Sequence, residues 1–490
     1  MMPDSTILNF INGHYVEPKS KQWIDNICPA TGKVVGKIAN SNAEDVAAAC
    51  LAAESAFESW SETPLEKRAH IMMKIADLID QQMESLAVAE SQDGGKPITR
   101  ARNIEVPRAA TNFRFFASAI TQFSSEAHES VGQNAINITL RQPLGTVSCI
   151  SPWNLPLYLF TWKVAPAIAT GNCVVAKPSE LTPRTASMLG EICNEAGLPP
   201  GVLNIIQGQG TTAGQAILEH PNIKAVSFTG GTATGEHVAR VVAPQFKKLS
   251  LELGGKNPNI IFADCNYQKM LATTVQTSFA NQGQICLCGS RIFVEQPIYE
   301  KFKTDLVTRA QSLKIGPPAL PDTDLGAVVS QPHFDKVLSY MDIAKQEGTI
   351  LCGGEPAVVP GHENGFFIKP TVIEVSSNRC RLNQEEIFGP VVTVMPFKSE
   401  TELLGLANDV GFGLSATLWT RDLDRTMRLS KKIDAGVVWV NSWLMRDLRT
   451  PFGGFKNSGV GREGGLESLR FFTEPKNVCI AFENNLKNEP

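Results

Sequence analysis

Cys286, at the end of Phe279-Ala280-Asn281-Gln282-Gly283-Gln284-Ile285-Cys286, and Glu252, in Leu251-Glu252-Leu253-Gly254-Gly255-Lys256, offer one chain a nucleophile and a water-activating base. A thiolate adds to a carbonyl carbon even when only a few per cent of the thiol is ionised. A carboxylate that takes a proton from water would then free the acyl group from sulfur. The pair fits acyl chemistry through a thioester, although one cysteine proves little, since free cysteine commonly packs as a small hydrophobe. Cys288, two positions on, reads as such a packing residue.

Short apolar strands alternating with helices have to position these groups. Strands are predicted at 146–151, 173–176, 202–207, 225–229 and 249–253. Their spacing leaves room for one crossover helix each, which is the pattern of a parallel, doubly wound nucleotide-binding sheet. Alternation resumes after Cys265, with strands at 291–294, 391–394, 416–420 and 436–441, as a second α/β unit. Upstream, Asn12-Gly13 between Phe10-Ile11 and Tyr15-Val16 predicts a type I′ hairpin. Ser41 and Glu44 form a capping box before a helix that presents Val46, Cys50, Ala53, Phe57 and Trp60 on one face. Thr63-Pro64 opens a second helix running toward Gly94-Gly95. Segments near 137–141 and 477–482 read as short strands of an arm that pairs between subunits.

Composition narrows the function. A chain of 490 residues exceeds one ordinary core, so two or three structural units are expected. A net charge of -4 gives no general attraction to nucleic acid or to an anionic membrane. Eleven scattered cysteines form neither a zinc cluster nor a disulfide framework, which points to a reducing compartment. Met1-Met2-Pro3-Asp4-Ser5 begins no basic-then-apolar leader and no apolar run would span a bilayer, so a cytoplasmic location is expected. Seven isolated histidines lack metal-ligand spacing, and no metal is expected.

Gly208-Gln209-Gly210-Thr211-Thr212-Ala213 matches the dinucleotide fingerprint but is short. Phe228-Thr229-Gly230-Gly231-Thr232-Ala233-Thr234-Gly235 is a better phosphate cradle, a strand running into a helix N-terminus. Lys177-Pro178-Ser179-Glu180 places a cation and an acid where ribose hydroxyls would lie, and Glu180 would repel a 2′-phosphate, favouring NAD over NADP. In Ser151-Pro152-Trp153-Asn154 the Asn154 amide is either an oxyanion donor or an ordinary turn residue.

Taken in order, Pro152-Trp153-Asn154, Lys177-Pro178-Ser179-Glu180, Phe228-Thr229-Gly230, Glu252-Leu253-Gly254-Gly255-Lys256, Gly283-Gln284-Ile285-Cys286, Glu386-Ile387-Phe388-Gly389-Pro390 and Pro451-Phe452-Gly453-Gly454 resemble the aldehyde dehydrogenase superfamily over nearly the whole chain. The resemblance implies an α/β fold with a Rossmann-type cofactor domain (1–123 and 144–254), an α/β catalytic domain (255–457) and a β oligomerisation arm (124–143 and 470–490) that builds homodimers or homotetramers. It implies Cys286 as nucleophile, Glu252 as base and Asn154 as oxyanion donor. It also implies NAD, held by Lys177, Ser179 and Glu180 at the adenosine ribose and Glu386 and Phe388 at the nicotinamide end. Between them would lie Ile150, Ser151, Trp153, Gly210, Phe228, Thr229, Gly230, Gly231 and Leu253. Gly231 is a departure, because many relatives have serine there. A hydrolytic Glu252 favours release of free acid over transfer to coenzyme A. A noncatalytic protein on the same fold would be expected to lack Cys286, Glu252 or Asn154.

Arg108 and Arg446 fall on tunnel positions of that family, with Trp162 and Phe452 as further substrate residues. Two guanidinium groups suit a dicarboxylate semialdehyde. The stretches Ile150-Ser151-Pro152-Trp153-Asn154-Leu155-Pro156-Leu157-Tyr158 and Trp443-Leu444-Met445-Arg446-Asp447-Leu448-Arg449-Thr450 resemble the branch oxidising 2-aminomuconate and 2-hydroxymuconate semialdehydes, in aromatic-ring or tryptophan (kynurenine) catabolism. The alternative is a broad-specificity or apolar, retinal-like aldehyde, for which Trp162 and Phe113 would line an apolar tunnel.

Overall fold

The computed structural model describes residues 5–483. Asn12 and Gly13 are both left-handed (φ 51° and 78°), closing the expected hairpin between Asn9–Ile11 and His14–Val16. The hairpin extends an eight-stranded sheet ordered Gly459–Val460, Lys248–Glu252, Ile223–Thr229, Thr146–Ile150, Cys173–Lys177, Leu203–Ile205, Asn9–Ile11, His14–Val16. Its five central strands are parallel. Successive strands run one way from Thr146–Ile150 to Leu203–Ile205 and then restart on its other side at Ile223–Thr229. The order therefore reverses between Ile150 and Thr229, and a crevice opens at the carboxyl ends of these two strands. The largest apolar core joins this sheet to the helices Ala43–Ser61, Leu65–Gln81, Val106–Ile120, Pro156–Ala169 and Arg184–Ala196.

The second sheet has seven strands in the order Gly348–Cys352, Thr371–Val375, Val391–Phe397, Arg291–Glu295, Pro258–Ile261, Ser415–Trp419, Val437–Val440, parallel except for the first pair. After it the chain returns to the first sheet. Gly459–Val460 lies antiparallel to Lys248–Glu252 with Gly459 opposite Glu252, so the returning chain borders that residue. Ala127–Ser130, Ala135–Pro143 and Thr473–Ala481 form a separate three-stranded sheet in which 135–143 pairs with 473–481 throughout. Residues 484–490 of the expected arm lie outside the described residues.

Two local expectations shift. The helix Ala43–Ser61 is capped by Asn42, whose side chain accepts from the Glu44 and Asp45 amides while Asp45 accepts from the Asn42 amide. Ser41 is drawn away because its hydroxyl donates to the buried Asn9 side chain at 2.9 Å. The second helix is two, Leu65–Gln81 and Met83–Gly94, with Pro64 as the cap and not the first helical residue. Among the described residues no helix is long and apolar enough to cross a membrane, and no cluster of His, Cys, Asp and Glu could hold a metal ion.

Candidate active site

The segment delivering Cys286 leaves the helix Tyr267–Phe279 through three consecutive left-handed residues, Asn281, Gln282 and Gly283 (φ 52°, 56° and 70°). Asparagine tolerates this conformation, whereas glutamine is strained in it. Hydrogen bonds impose the strain. Gln282 donates to Ala327 O at 2.8 Å, Asn281 to Asn154 O at 3.0 Å, and Gln284 accepts from the Val329 amide at 3.0 Å. A Cβ on Gly283 would sit 2.0 Å from Gly389 O. Beyond the turn, the Asn257 amide donates to both the Cys286 and Cys288 carbonyls, at 2.7 and 2.8 Å. Cys288 packs with Ile285, Leu287, Leu414, Trp439 and Phe452, while Cys286 is half-buried.

Cys286 lines two cavities that share Leu159, Thr229 and Leu253. Burial holds its thiol well above the ordinary range, with Glu386 and Glu252 adding to the shift and Arg446 opposing it. Both carboxylate oxygens of Glu252 are buried without a hydrogen-bond partner. Its pKa is raised well above the usual carboxylate value, first by burial and then by Glu463, against Lys163, Arg446 and Arg462. Glu463 belongs to a buried triad with Lys163 (2.6 Å) and Ser227 (3.1 Å). Asn154 donates its amide to Gln284 O at 2.9 Å, and an amide nitrogen has a second hydrogen to give. With Cys286 common to both cavities, Glu252 on the wall of one and Asn154 on the wall of the other, the thiol, the unpartnered carboxylate and the amide donor can support addition to a carbonyl, stabilisation of the oxyanion and hydrolysis of the acyl product.

One of the two cavities, of about 330 Å³, carries the substrate candidates Arg108, Arg446, Trp162 and Phe452. Arg446 stacks on Phe452 (4.0 Å) and Trp162 (4.9 Å) and reaches the Tyr158 hydroxyl at 3.4 Å. Arg108 lies over the Tyr158 ring at 5.2 Å and donates to Asn112 at 3.2 Å. Neither has a carboxylate partner among the described residues, and the Nη2 atom of each is buried without an acceptor. Burial lowers the Arg108 pKa, Tyr158 opposes that, and the positive charge of Arg446 adds to the lowering. Phe113 does not reach this cavity; it is fully buried in the core. The wall residues not singled out from sequence include Tyr158, Leu444, Glu463, Arg100 and Asn103.

The other cavity, of about 250 Å³, runs from Cys286 past Trp153, Asn154, Gly230 and Gly231 to Glu386 and Phe388. Glu386 is fixed by the Gly255 amide at 2.9 Å, and a Cβ on Gly254 would lie 2.2 Å from its carboxylate. Trp153 meets Phe388 and His333 edge-on, and burial drops the His333 pKa to about 4, leaving a neutral ring. A wider cleft of about 800 Å³ is lined by Ile150, Lys177, Glu180, Gly210 and Phe228. Lys177 bonds Glu180 at 3.3 Å, and burial lowers its pKa while Glu180 raises it. Ser151 and Ser179 line none of the three cavities. The Ser151 amide bonds Lys177 O, and the Ser179 hydroxyl accepts from the Leu181 amide. The two clefts flank the sheet's switch point and the start of helix Thr232–Val242, and their donors suit ribose hydroxyls and a pyrophosphate.

The model of the aldehyde dehydrogenase family matches residues 15–478. The chain belongs to the aldehyde dehydrogenase family. A 2-aminomuconic semialdehyde dehydrogenase of Danio rerio is 49% identical over 476 residues, covering 96% of this chain and 97% of the relative. A 2-hydroxymuconic semialdehyde dehydrogenase of Pseudomonas sp. (strain CF600) is 43% identical, with 97% and 99% covered. An aldehyde dehydrogenase of Bacillus cereus, solved as an NAD+ complex, superposes with a TM-score of 0.95 at 38% identity, covering 98% of this chain and 97% of that one. The fold and the enzyme class expected from the motifs are those of an aldehyde dehydrogenase.

Proposed function

We propose that this aldehyde dehydrogenase oxidises a carboxylated aldehyde, 2-aminomuconate or 2-hydroxymuconate 6-semialdehyde, to the acid with NAD. The observation that carries the substrate is the pair of arginines without carboxylate partners beside Cys286. Two half-buried guanidinium groups that line one cavity without a carboxylate partner, each with a buried Nη2 lacking an acceptor, suit an anionic ligand that bridges them. The similarity to muconic semialdehyde dehydrogenases supports the same reading. Apolar walls at Ile104, Leu155, Leu159 and Leu287 favour the alternative of a broad-specificity or apolar aldehyde.

In the mechanism, the thiolate form of Cys286, its proton already lost to solvent, bonds the aldehyde carbon, the C=O pair moves to oxygen, and the resulting oxyanion takes a hydrogen bond from Asn154. Lys177 and Glu180 would hold one ribose of NAD and Glu386 the other, and the cofactor would supply the acceptor for the hydride that leaves the carbon as the C=O re-forms and the thioester results. Glu252 removes a proton from the water that adds to the thioester, sulfur leaves as thiolate, and the acid is released.

The test is NADH formation with the semialdehyde beside short neutral aldehydes. For Arg108→Ala, kcat/KM for the semialdehyde is expected to fall about 100-fold while neutral aldehydes change little. Arg446 also acts on Cys286 and Glu252, so for Arg446→Ala the ratio between substrates is the readout. An unchanged ratio in both variants sinks the carboxylate reading.

Gly231 caps helix Thr232–Val242 in an extended conformation (φ -71°, ψ 151°), and an added Cβ would meet nothing within 4 Å. Gly231→Ser is therefore expected to bind NAD about three- to tenfold more tightly in a fluorescence titration, through a hydroxyl aimed at the pyrophosphate. Unchanged or weaker binding would show that the pyrophosphate does not lie over this helix start. Homodimer or homotetramer assembly is supported by Leu140 and Ile480, both nearly half-exposed on the small sheet. A monomeric mass in light scattering would reject it.

A further inference from the structure

Helix Met83–Gly94 ends on the left-handed Gly95, which turns Lys96 inward. Pro97 restarts the chain as Ile98–Arg100, and the five-residue π-turn Ala101–Glu105 follows before Val106–Ile120. The wider turn leaves Glu105 facing Lys96, and both side chains are essentially inaccessible. Lys96 Nζ donates to Glu105 Oε2 at 2.5 Å and to the main-chain oxygen of Asn154 at 2.8 Å, with Glu90 Oε2 at 3.6 Å. The second oxygen of Glu105 accepts from Arg100 at 2.9 Å, and Arg100 lines the substrate cavity. Glu90 in turn accepts from the Leu157 amide at 2.7 Å, on the other side of Asn154.

A buried ion pair is an inefficient source of stability, since well-packed apolar side chains of similar volume do as well or better. It does supply direction. The Lys96 ammonium, hydrogen-bonded to Glu105 and attracted by the charge of Glu90, gives a second donor to one carbonyl, that of Asn154. The same carbonyl accepts from Asn281 in the strained turn before Cys286. We infer that Lys96, held by Glu105, is a positioning residue that fixes the Asn154 backbone, and with it the oxyanion amide, relative to Cys286. The inference rests on the proposed role of Asn154. It ties the π-turn wall of the substrate cavity to the oxyanion donor through two ion pairs and one hydrogen bond.

The experiment measures the first-turnover rate of NADH formation at saturating NAD for Lys96→Met, Glu105→Gln, Asn154→Ala and each combined with Asn154→Ala. Each of the first two variants is expected to slow that turnover about 10- to 100-fold, the cost of an oxyanion donor displaced by about an ångström. KM for NAD and the rate at which a thiol reagent alkylates Cys286 should stay within about twofold, which a general loss of structure would not allow. In the Asn154→Ala background neither change should cost more than about twofold further, because residues acting as one unit are non-additive. Additive losses overturn the inference and leave the Asn154 assignment standing. An undiminished first turnover in Asn154→Ala overturns that assignment and the inference with it. Glu105→Gln keeps the shape of the site and decides the question by itself if Lys96→Met does not fold.

Discussion

Cys286→Ala is expected to abolish aldehyde-dependent NADH formation, lowering it by about 10⁴-fold or more, because no other group at the cavity can form the thioester. Cys288→Ala should retain most activity: its side chain packs in a small apolar cluster and its hydrogen bonds run through the main chain, the amide to Ile285 O and the carbonyl from Asn257 and the Ser290 amide. Mass spectrometry after exposure to a thiol reagent should place the modification that tracks activity loss on Cys286. The pH dependence follows from the raised pKa. Burial, then Glu386 and Glu252, keep the free thiol protonated near neutrality, so the reactive thiolate is a minor form. Below that pKa its fraction rises about tenfold per pH unit, and the alkylation rate should climb with the same slope. Full turnover by Cys286→Ala would remove the cysteine from this role, and an alkylation rate already flat near neutral pH would show that its pKa is not raised.

Much of this site was legible because it is written in short, local patterns. The strand-to-helix cradle at 228–235 and the Asn12-Gly13 hairpin each occupy a few neighbouring residues, where backbone preference is strong. What could not be read was long-range. Lys163 and Glu463 lie 300 residues apart in sequence, and each alone is an ordinary charged residue. Lys96 and Asn154 are 58 apart. The move of the first helix cap from Ser41 to Asn42 is also a tertiary effect, since nothing local announces that Asn9 will engage the serine hydroxyl.

Helical rotation keeps Phe113 out of the substrate cavity. Phe113 follows Arg108 by five residues on a helix, a rotation of about 140° beyond a full turn, so the two cannot share a face. Tyr158 and Trp162, four apart, do share one, and both line the cavity.

Glu252→Gln should separate the two halves of the reaction. Glutamine keeps the shape of the site but cannot accept the proton of the attacking water. Steady-state turnover is expected to fall about 10²- to 10⁴-fold, while a burst of about one NADH per active site persists and the acyl-enzyme accumulates on Cys286, detectable by intact mass. The sign with pH is fixed by the form that works. Only the carboxylate can be the base, and burial together with Glu463 raises the pKa at which it forms. In the unmodified enzyme deacylation should therefore increase as pH rises through that elevated value and level off above it, and Glu252→Gln should lose this limb. Glu463→Gln removes a nearby negative charge and should move the limb to lower pH, whereas a purely structural Glu463 would leave the midpoint in place. If Glu252→Gln eliminates the burst together with turnover, the carboxylate acts before hydride transfer, on the Cys286 proton, and the hydrolytic assignment fails. Its position fits the hydrolytic role: both oxygens are unpartnered, and it lines the cavity that Cys286 also lines.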